Sequence, residues 1–407
     1  MIKGLLLRRV AAAFSSRDFR ILWLGAFAST VGTWMQKVAQ SWLVFALTGS
    51  TFFLGLDDFL GQLPILLFTL IGGVIADRHD RRRVLLGSQC VQMVSAFTLA
   101  ALVYWDAVRI WHILTLSFAT GVAQAFGGPA YQSLIPSLIK KDDLPNAIAL
   151  NSIQFNLARV IGPLLAGATL AAWGTAACFG LNGLSFLVVM VALLSLAVKH
   201  VPPSTRQGLR DELGAGLSYV RGQHALVALT ALAFLVTFLG LPLLTFLPVI
   251  AKEVFQQDMG GYSRMMAWSG AGAVSGALVV AWLGKFRHMG RMLLAVQIVF
   301  GLLVTAFAAS RMLWVSELLL FACGAALIIV FSLTSSLVQL IVPDRLRGRV
   351  MGIYMVAFRG GMPLGSLAAG YAATRVPAPW VLAANGVLLV VVAVYFLGVD
   401  RRGVRDL

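Results

Sequence analysis

The sequence predicts an all-α integral membrane protein with twelve transmembrane helices in two pseudo-symmetric six-helix bundles. Three observations lead there: a strongly apolar composition, a succession of long apolar runs, and basic residues gathered on alternate connections. Of the 407 residues, 59% are hydrophobic and 12% charged, and the mean hydropathy is +0.87. A soluble domain carries roughly a quarter charged residues, so about half the usual water-facing side chains are missing. A helix needs ~20 apolar residues to cross a ~30 Å hydrocarbon core. Runs of that kind fall near 21–47, 51–76, 83–105, 110–138, 145–172, 175–198, 224–251, 261–284, 289–309, 313–341, 348–374 and 378–398. They account for well over half of the chain and leave little for a soluble catalytic domain. Their continuous apolarity excludes a β-barrel, whose strands alternate over ~10 residues.

The net charge of +16 is explained by its distribution. With the N-terminus inside, Arg109, Lys252, Arg264, Arg311 and Arg375 fall outside, and Lys37, Arg159 and Arg359 fall in spans. The other 24 of the 32 Lys and Arg lie on cytoplasmic segments. That asymmetry follows the positive-inside rule and puts both termini in the cytoplasm. Anionic lipid at the inner face is a sufficient partner for these charges, so no nucleic acid is expected. The first twenty residues are broken by Arg8, Arg9 and Arg17, which argues against a cleaved signal peptide. Cys90, Cys178 and Cys323 are isolated in different spans, and the five histidines are scattered. No metal or redox spacing exists among them, and no cofactor is expected.

The longest polar segment, 199–223, divides the chain into an N-terminal bundle (1–198) and a C-terminal bundle (224–407). Pro202 and Pro203 end the sixth span. Leu209, Leu213, Leu217 and Val220 then recur at helical spacing, as in a short amphipathic helix lying on the inner membrane surface. The halves also share a signature. Arg159-Val-Ile-Gly-Pro163-Leu164 in span five corresponds to Arg359-Gly-Gly-Met-Pro363-Leu364 in span eleven. Repeated halves are the build of secondary transporters, with substrate sites at the repeat interface near the bilayer midplane.

Between spans two and three the chain reads Gly72-Gly73-Val-Ile-Ala76-Asp77-Arg78-His-Asp80-Arg81-Arg82-Arg83. This resembles the loop signature of the major facilitator superfamily, in letters and in position. The stretches RDFRILWLG, TWMQKVAQSWLVFALTGS, LPNAIALNSIQFNLARVIGP and VPDRLRGRVMGIYMVAF are similar to its branch of enterobactin exporters and macrolide-efflux proteins. The resemblance implies a bacterial inner-membrane exporter, generally proton-driven, with a cytoplasmic latch at this loop. Physically, Gly73 would let span two approach a neighbour closely, and Asp77 would favour a positive helix N-terminus near Arg347–Arg349. Arg78, Arg81, Arg82 and Arg83 could pair with acids or lipid phosphates. A basic loop would also serve topology alone. The matching loop LGKFRHMGRM between spans eight and nine lacks the acid. Gly162, Pro163 and Gly167 resemble the family's antiporter motif; simple close packing of a bendable helix accounts for the same residues. In span four, Tyr131 and Ser137 stand where the family usually has Arg and Glu.

Charges inside a membrane cost several kcal/mol unless paired. Asp57 and Asp58 lie ~9 Å below the outer end of span two. Lys37 lies in the outer half of span one, and the turn at 48–50 brings the two helices together. Adjacent residues point ~100° apart on a helix, so Lys37 serves one carboxylate better than the other. The less favoured one is a candidate proton acceptor for coupling; a permanent ion pair in a wetted vestibule is the alternative. Arg159 and Arg359 lie ~20 and ~15 Å from their cytoplasmic ends and are candidate cavity residues with Gln36 and Gln124. Such a pair would suit an anionic substrate, or each could donate to carbonyls freed by its own Pro.

The expected function is therefore secondary-active, proton-coupled export of small amphiphilic molecules by a monomer. Alternatives on the same fold are a lysophospholipid flippase or an importer. A membrane sensor and a membrane enzyme are the readings from other classes. No Gly-x-x-x-x-Gly-Lys-Ser/Thr loop for ATP is present, and no nucleophile–base or metal constellation supports catalysis.

Overall fold

The computed structural model describes residues 12–196, 217–284, 286–343, 346–398 and 404, without the side chains of Leu70, Asp77 and Lys141. The expected surface helix at Leu209–Val220 and the Asp77 carboxylate therefore lie largely outside the described residues.

Every backbone N–H and C=O inside a bilayer must be paired within the protein, and long apolar runs meet that demand as helices. The helices are α1 (Arg17–Thr48), α2 (Thr51–Arg78), α3 (Arg81–Tyr104) and α4 (Ile110–Leu138). The run Leu144–Leu194 breaks at Gly174, where φ is 80° and ψ 178°, giving α5 (144–173) and α6 (175–194). Span seven, α7, is His224–Gly240 continued by the short pieces Pro242–Thr245, Leu247–Val249 and Ile250–Val254, the last a π-helical turn. Then come α8 (Met259–Leu283), α9 (Met289–Ala309), α10 (Leu313–Ile341), α11 (Arg347–Ala372) and α12 (Ala378–Gly398). Among the described residues, each of the twelve expected spans is helical. The α1–α2 turn is sharp because Gly49 takes φ +58°, a conformation that suits glycine. Helices α1, α4 and α11 lack an 18-residue stretch as apolar as those of the others. Those three carry Lys37, Gln124 and Arg359.

Two compact units form: Met1–Leu43 with Leu63–Ser204, and Val44–Gln62 with Thr205–Leu407. In the first, α3 packs on α4 and on the α5–α6 run. The N-terminal turn Ala12–Ser15 is tied down by Ala13 N–H donating to Asn146 Oδ1 (2.9 Å), and Ser16 Oγ donates to Leu138 O (2.7 Å). Phe19, Leu85, Leu134, Ala147 and Leu193 form the apolar core at that end. In the second unit α8 packs on α10, α9 on α10 and α12, and α11 on α7. The tip of the α1–α2 hairpin belongs to this second unit, and with it Asp57 and Asp58.

Candidate functional site

Helix α5 meets α1 through Gly162, where a Cβ would stand 2.9 Å from Val31 O and 3.0 Å from Met35 N. Pro163 and Ala166 are buried in the same stretch; Gly167 is half-buried. One turn away, Arg159 is buried, and its guanidinium carbon lies 5.7 Å from the centre of the Trp34 ring. Phe155 meets the same ring edge-on at 5.9 Å. The arginine therefore sits in a cation–π pocket, an arrangement that lowers the cost of a buried cation.

The related seam in the second unit, α11 on α7, also closes on glycine. A Cβ at Gly361 would run into Phe234 O and Thr237 Oγ1, and one at Gly365 into Phe238 O. Arg359, by contrast, is exposed. The polar chemistry of this seam lies at Ser366, which is fully buried. Its Oγ donates to Asp58 Oδ2 at 2.8 Å and lies 3.1 Å from Thr245 Oγ1. Asp57 and Asp58 are both buried. Thr51 Oγ1 donates to Gly370 O at 3.2 Å, so the start of α2 is fastened to α11 along its length.

At the α2–α3 loop, Asp80 caps α3 by accepting from Arg82 N–H at 2.9 Å. Arg82 reaches the carboxyl end of α6, donating to Leu194 O (2.6 Å) and Leu196 O (3.2 Å), where a cation complements the helix dipole. Arg81 donates to Ser133 O of α4 at 2.9 Å. Arg78 is exposed, and Arg83 faces Asp80 at 3.7 Å with 87% of its side chain exposed. Ala76 is buried in the core. The close approach expected at Gly73 occurs one residue earlier. A Cβ at Gly73 would meet nothing within 4 Å, whereas one at Gly72 would strike Ala125 O of α4.

Comparison with known proteins now adds to this geometry. The family profile described as transmembrane secretion effector matches residues 9–404. The chain belongs to the major facilitator superfamily, in its efflux branch. It is 25% identical over 350 residues to a staphyloferrin A transporter of Staphylococcus aureus, covering 84% of this chain and 86% of the relative. It is 21% identical to macrolide efflux protein A of Streptococcus pyogenes (92% and 94% covered). An enterobactin exporter of Shigella boydii is 25% identical over 393 residues (95% and 93%). Among solved structures, the nucleoside transporter NupG superposes with a TM-score of 0.74 at 14% identity, covering 95% of this chain and 99% of that one. A bacterial homologue of the lysosomal transporter Spinster gives 0.73 at 14% identity, covering 95% and 97%. The protein is a multi-pass secondary transporter.

Within this major facilitator chain the first unit carries a ladder of amides. Asn182 Nδ2 of α6 donates to Gln36 Oε1 at 2.6 Å. Gln36 Nε2 reaches Gln40 Oε1 at 3.4 Å, and Gln40 Nε2 donates to Ser117 Oγ of α4 at 2.8 Å. Gln124 Nε2 donates to Gln92 Oε1 at 3.3 Å, Gln154 Nε2 to Thr30 Oγ1 at 3.2 Å, and Tyr131 OH to Asn151 Oδ1 at 3.2 Å. Lys37, half-buried, stands on the α1 turn between Gln36 and Gln40. Sequence reasoning singled out Gln36 and Gln124 but not Asn182, Gln40, Ser117, Thr245 or Ser366. Their polarity inside apolar helices was the available signal; their pairing is a tertiary fact. Glu317 was also missed: it pairs with Arg264 across the ends of α10 and α8. No group of three or more His, Cys, Asp and Glu fit to hold a metal occurs among the described residues.

Proposed function

We propose that this transporter exports small amphiphilic molecules, of drug or siderophore type, across a bacterial inner membrane in exchange for protons, by alternating access. The observation that carries the coupling is the buried pair Asp57 and Asp58, with Asp58 held by Ser366. An ionisable residue inside a membrane span is a functional candidate because of its cost, and a carboxylate is the natural candidate for carrying a proton. Lys37 belongs to the other compact unit. In the first unit, Arg159 beside Trp34 and Phe155, together with Gln36 and Gln124, supplies aromatic faces, amides and a cation suited to an amphiphile with acidic or phenolic groups; Arg359, exposed in the second unit, is a separate candidate. The named exports of the relatives, staphyloferrin A, macrolides and enterobactin, support that class.

The division into bundles 1–198 and 224–407 with a linker at 199–223 belongs to the same reading. So do cytoplasmic termini, anionic lipid at the basic inner loops, and a monomeric carrier that performs no catalysis. The α2–α3 loop with Gly73, Ala76, Asp77, Arg78, Arg81 and Arg82 serves as the cytoplasmic latch, and Gly162, Pro163 and Gly167 as the bendable antiporter-type stretch. The test is metabolite and susceptibility profiling of a deletion strain and its complemented parent. Intracellular retention of a secreted amphiphile, or gained macrolide sensitivity, is the expected outcome. Loss of uptake of an external compound would make it an importer, and altered lysophospholipid distribution a flippase.

A further inference from the structure

We infer that Ser366 is a positioning residue that wires the charge of Asp58 to the broken segment of α7. The inference rests on the coupling role proposed for the aspartate pair and selects Asp58 within it. Three side chains from three helices form one line: Asp58 on α2, Ser366 on α11 and Thr245 on α7. The distances are 2.8 Å and 3.1 Å, and Ser366 is fully buried.

A carboxylate only accepts hydrogen bonds, whereas a hydroxyl both donates and accepts. With Asp58 ionised the order is therefore fixed: Thr245 donates to Ser366, and Ser366 donates to Asp58. When Oδ2 takes a proton it becomes a donor, and the order reverses. Asp58 then donates to Ser366 Oγ, Ser366 donates to Thr245 Oγ1, and the Thr245 hydrogen turns to a carbonyl of its own helix. No proton leaves the line; its polarity changes.

The receiving end is suited to respond. Thr245 closes the one-turn piece Pro242–Thr245, and Pro248 has no N–H to give to Leu244 O. The next five residues form a π-helical turn. An interrupted ladder of this kind changes shape at lower cost than a regular helix. The two glycines flanking Ser366, Gly365 and Gly370, hold the backbone of α11 close to α7 and α2. At Gly370 a Cβ would lie 2.9 Å from Thr51 O. The hydroxyl thus cannot drift from its partners.

Other charges on these helices are Asp57 beside Asp58, Lys252 at 5.5 Å over the Phe45 ring with Glu253 next to it, and Arg359 two turns before Ser366; Arg78, Arg347 and Arg349 lie at the far helix ends, and Arg375 follows α11, 5.9 Å over the Tyr371 ring. The repeat isolates the feature: three residues after its proline the first copy has Ala166, and the second has Ser366.

The test is pH-difference infrared spectroscopy of the full chain in liposomes, which reads the protonated-carboxyl stretch without any substrate. Asp58→Asn should remove a band that titrates in the wild type. Ser366→Ala removes the hydroxyl that bonds Oδ2, so the frequency of the same band should shift. Ser366→Thr should restore the wild-type frequency, and Thr245→Val should give a smaller shift. A Ser366→Ala band identical to wild type, with the Asp58 band present, overturns the wiring and leaves the coupling role standing. A spectrum unchanged by Asp58→Asn overturns both. If Ser366→Ala fails to fold, Thr245→Val and Ser366→Thr decide, and no shift in Thr245→Val counts against the line.

Discussion

The two copies of Arg-x-x-x-Pro-Leu have kept one property and divided another. Both place small residues against the first helix of their own half: Gly162 of α5 on α1, and Gly361 and Gly365 of α11 on α7. Close backbone approach is what holds helices together in lipid, where apolar side chains gain nothing by leaving the solvent. The polar roles have separated. In the first unit the arginine is buried over Trp34 and neighbouring helices are joined by amides. In the second, the arginine is exposed and the buried polarity has moved to a serine that binds Asp58. Packing is thus the shared inheritance of the repeat. Its chemistry is specialised, with amide hydrogen bonds between helices in one unit and a buried carboxylate held by a hydroxyl in the other.

The largest expected effect breaks what the copies share. Gly162→Val and Gly361→Val should each lower the unfolding temperature of the purified protein, at a cost of about 1–3 kcal/mol or more, because the opposing atoms include backbone that cannot rotate away. Full stability in either variant would remove that seam from the account. A smaller effect separates the copies. Trp34→Leu leaves Arg159 without its ring and should cost about 0.5–2 kcal/mol, whereas Arg359→Gln should leave stability within about 0.5 kcal/mol. Equal costs at the two arginine sites would mean that they had not diverged. A further contrast lies between two arginines of the α2–α3 loop. Arg82→Gln loses two carbonyl partners at the end of α6 and should cost about 1 kcal/mol. Arg83→Gln, in an exposed pair, should cost less than about 0.5 kcal/mol. Reversal of that order would return the loop to a purely electrostatic role.

Most of the fold could be read from the sequence because a bilayer removes the usual competition. Runs of ~20 apolar residues have one way to satisfy their backbone, so α9, α10 and α12 begin and end where their hydropathy does. The break within α7 was less legible. Pro242 and Pro248 mark it, but prolines occur inside α2, α4 and α11 without such an interruption. The site was legible only by residue type. Asp57, Asp58 and Arg159 stand out because charge in a span is costly. Ser366 and Asn182 do not, since a lone hydroxyl or amide can bond to its own helix. Which of them turns to a neighbour depends on the crossing of three helices, and no periodicity records that. The glycine that makes the close approach at α4 was misassigned by one position, Gly73 for Gly72, because adjacent glycines differ only in the direction they face.

The most direct measurement is gradient-driven uptake in inverted membrane vesicles, using the amphiphile identified by the deletion profile. Wild-type vesicles should accumulate it when the lumen is acidified and lose it when the pH gradient is collapsed. Asp58→Asn should abolish accumulation while preserving exchange of labelled for unlabelled substrate. Accumulation in Asp58→Asn and Asp57→Asn equal to wild type, or accumulation indifferent to the gradient, would contradict proton-coupled export centred on this pair.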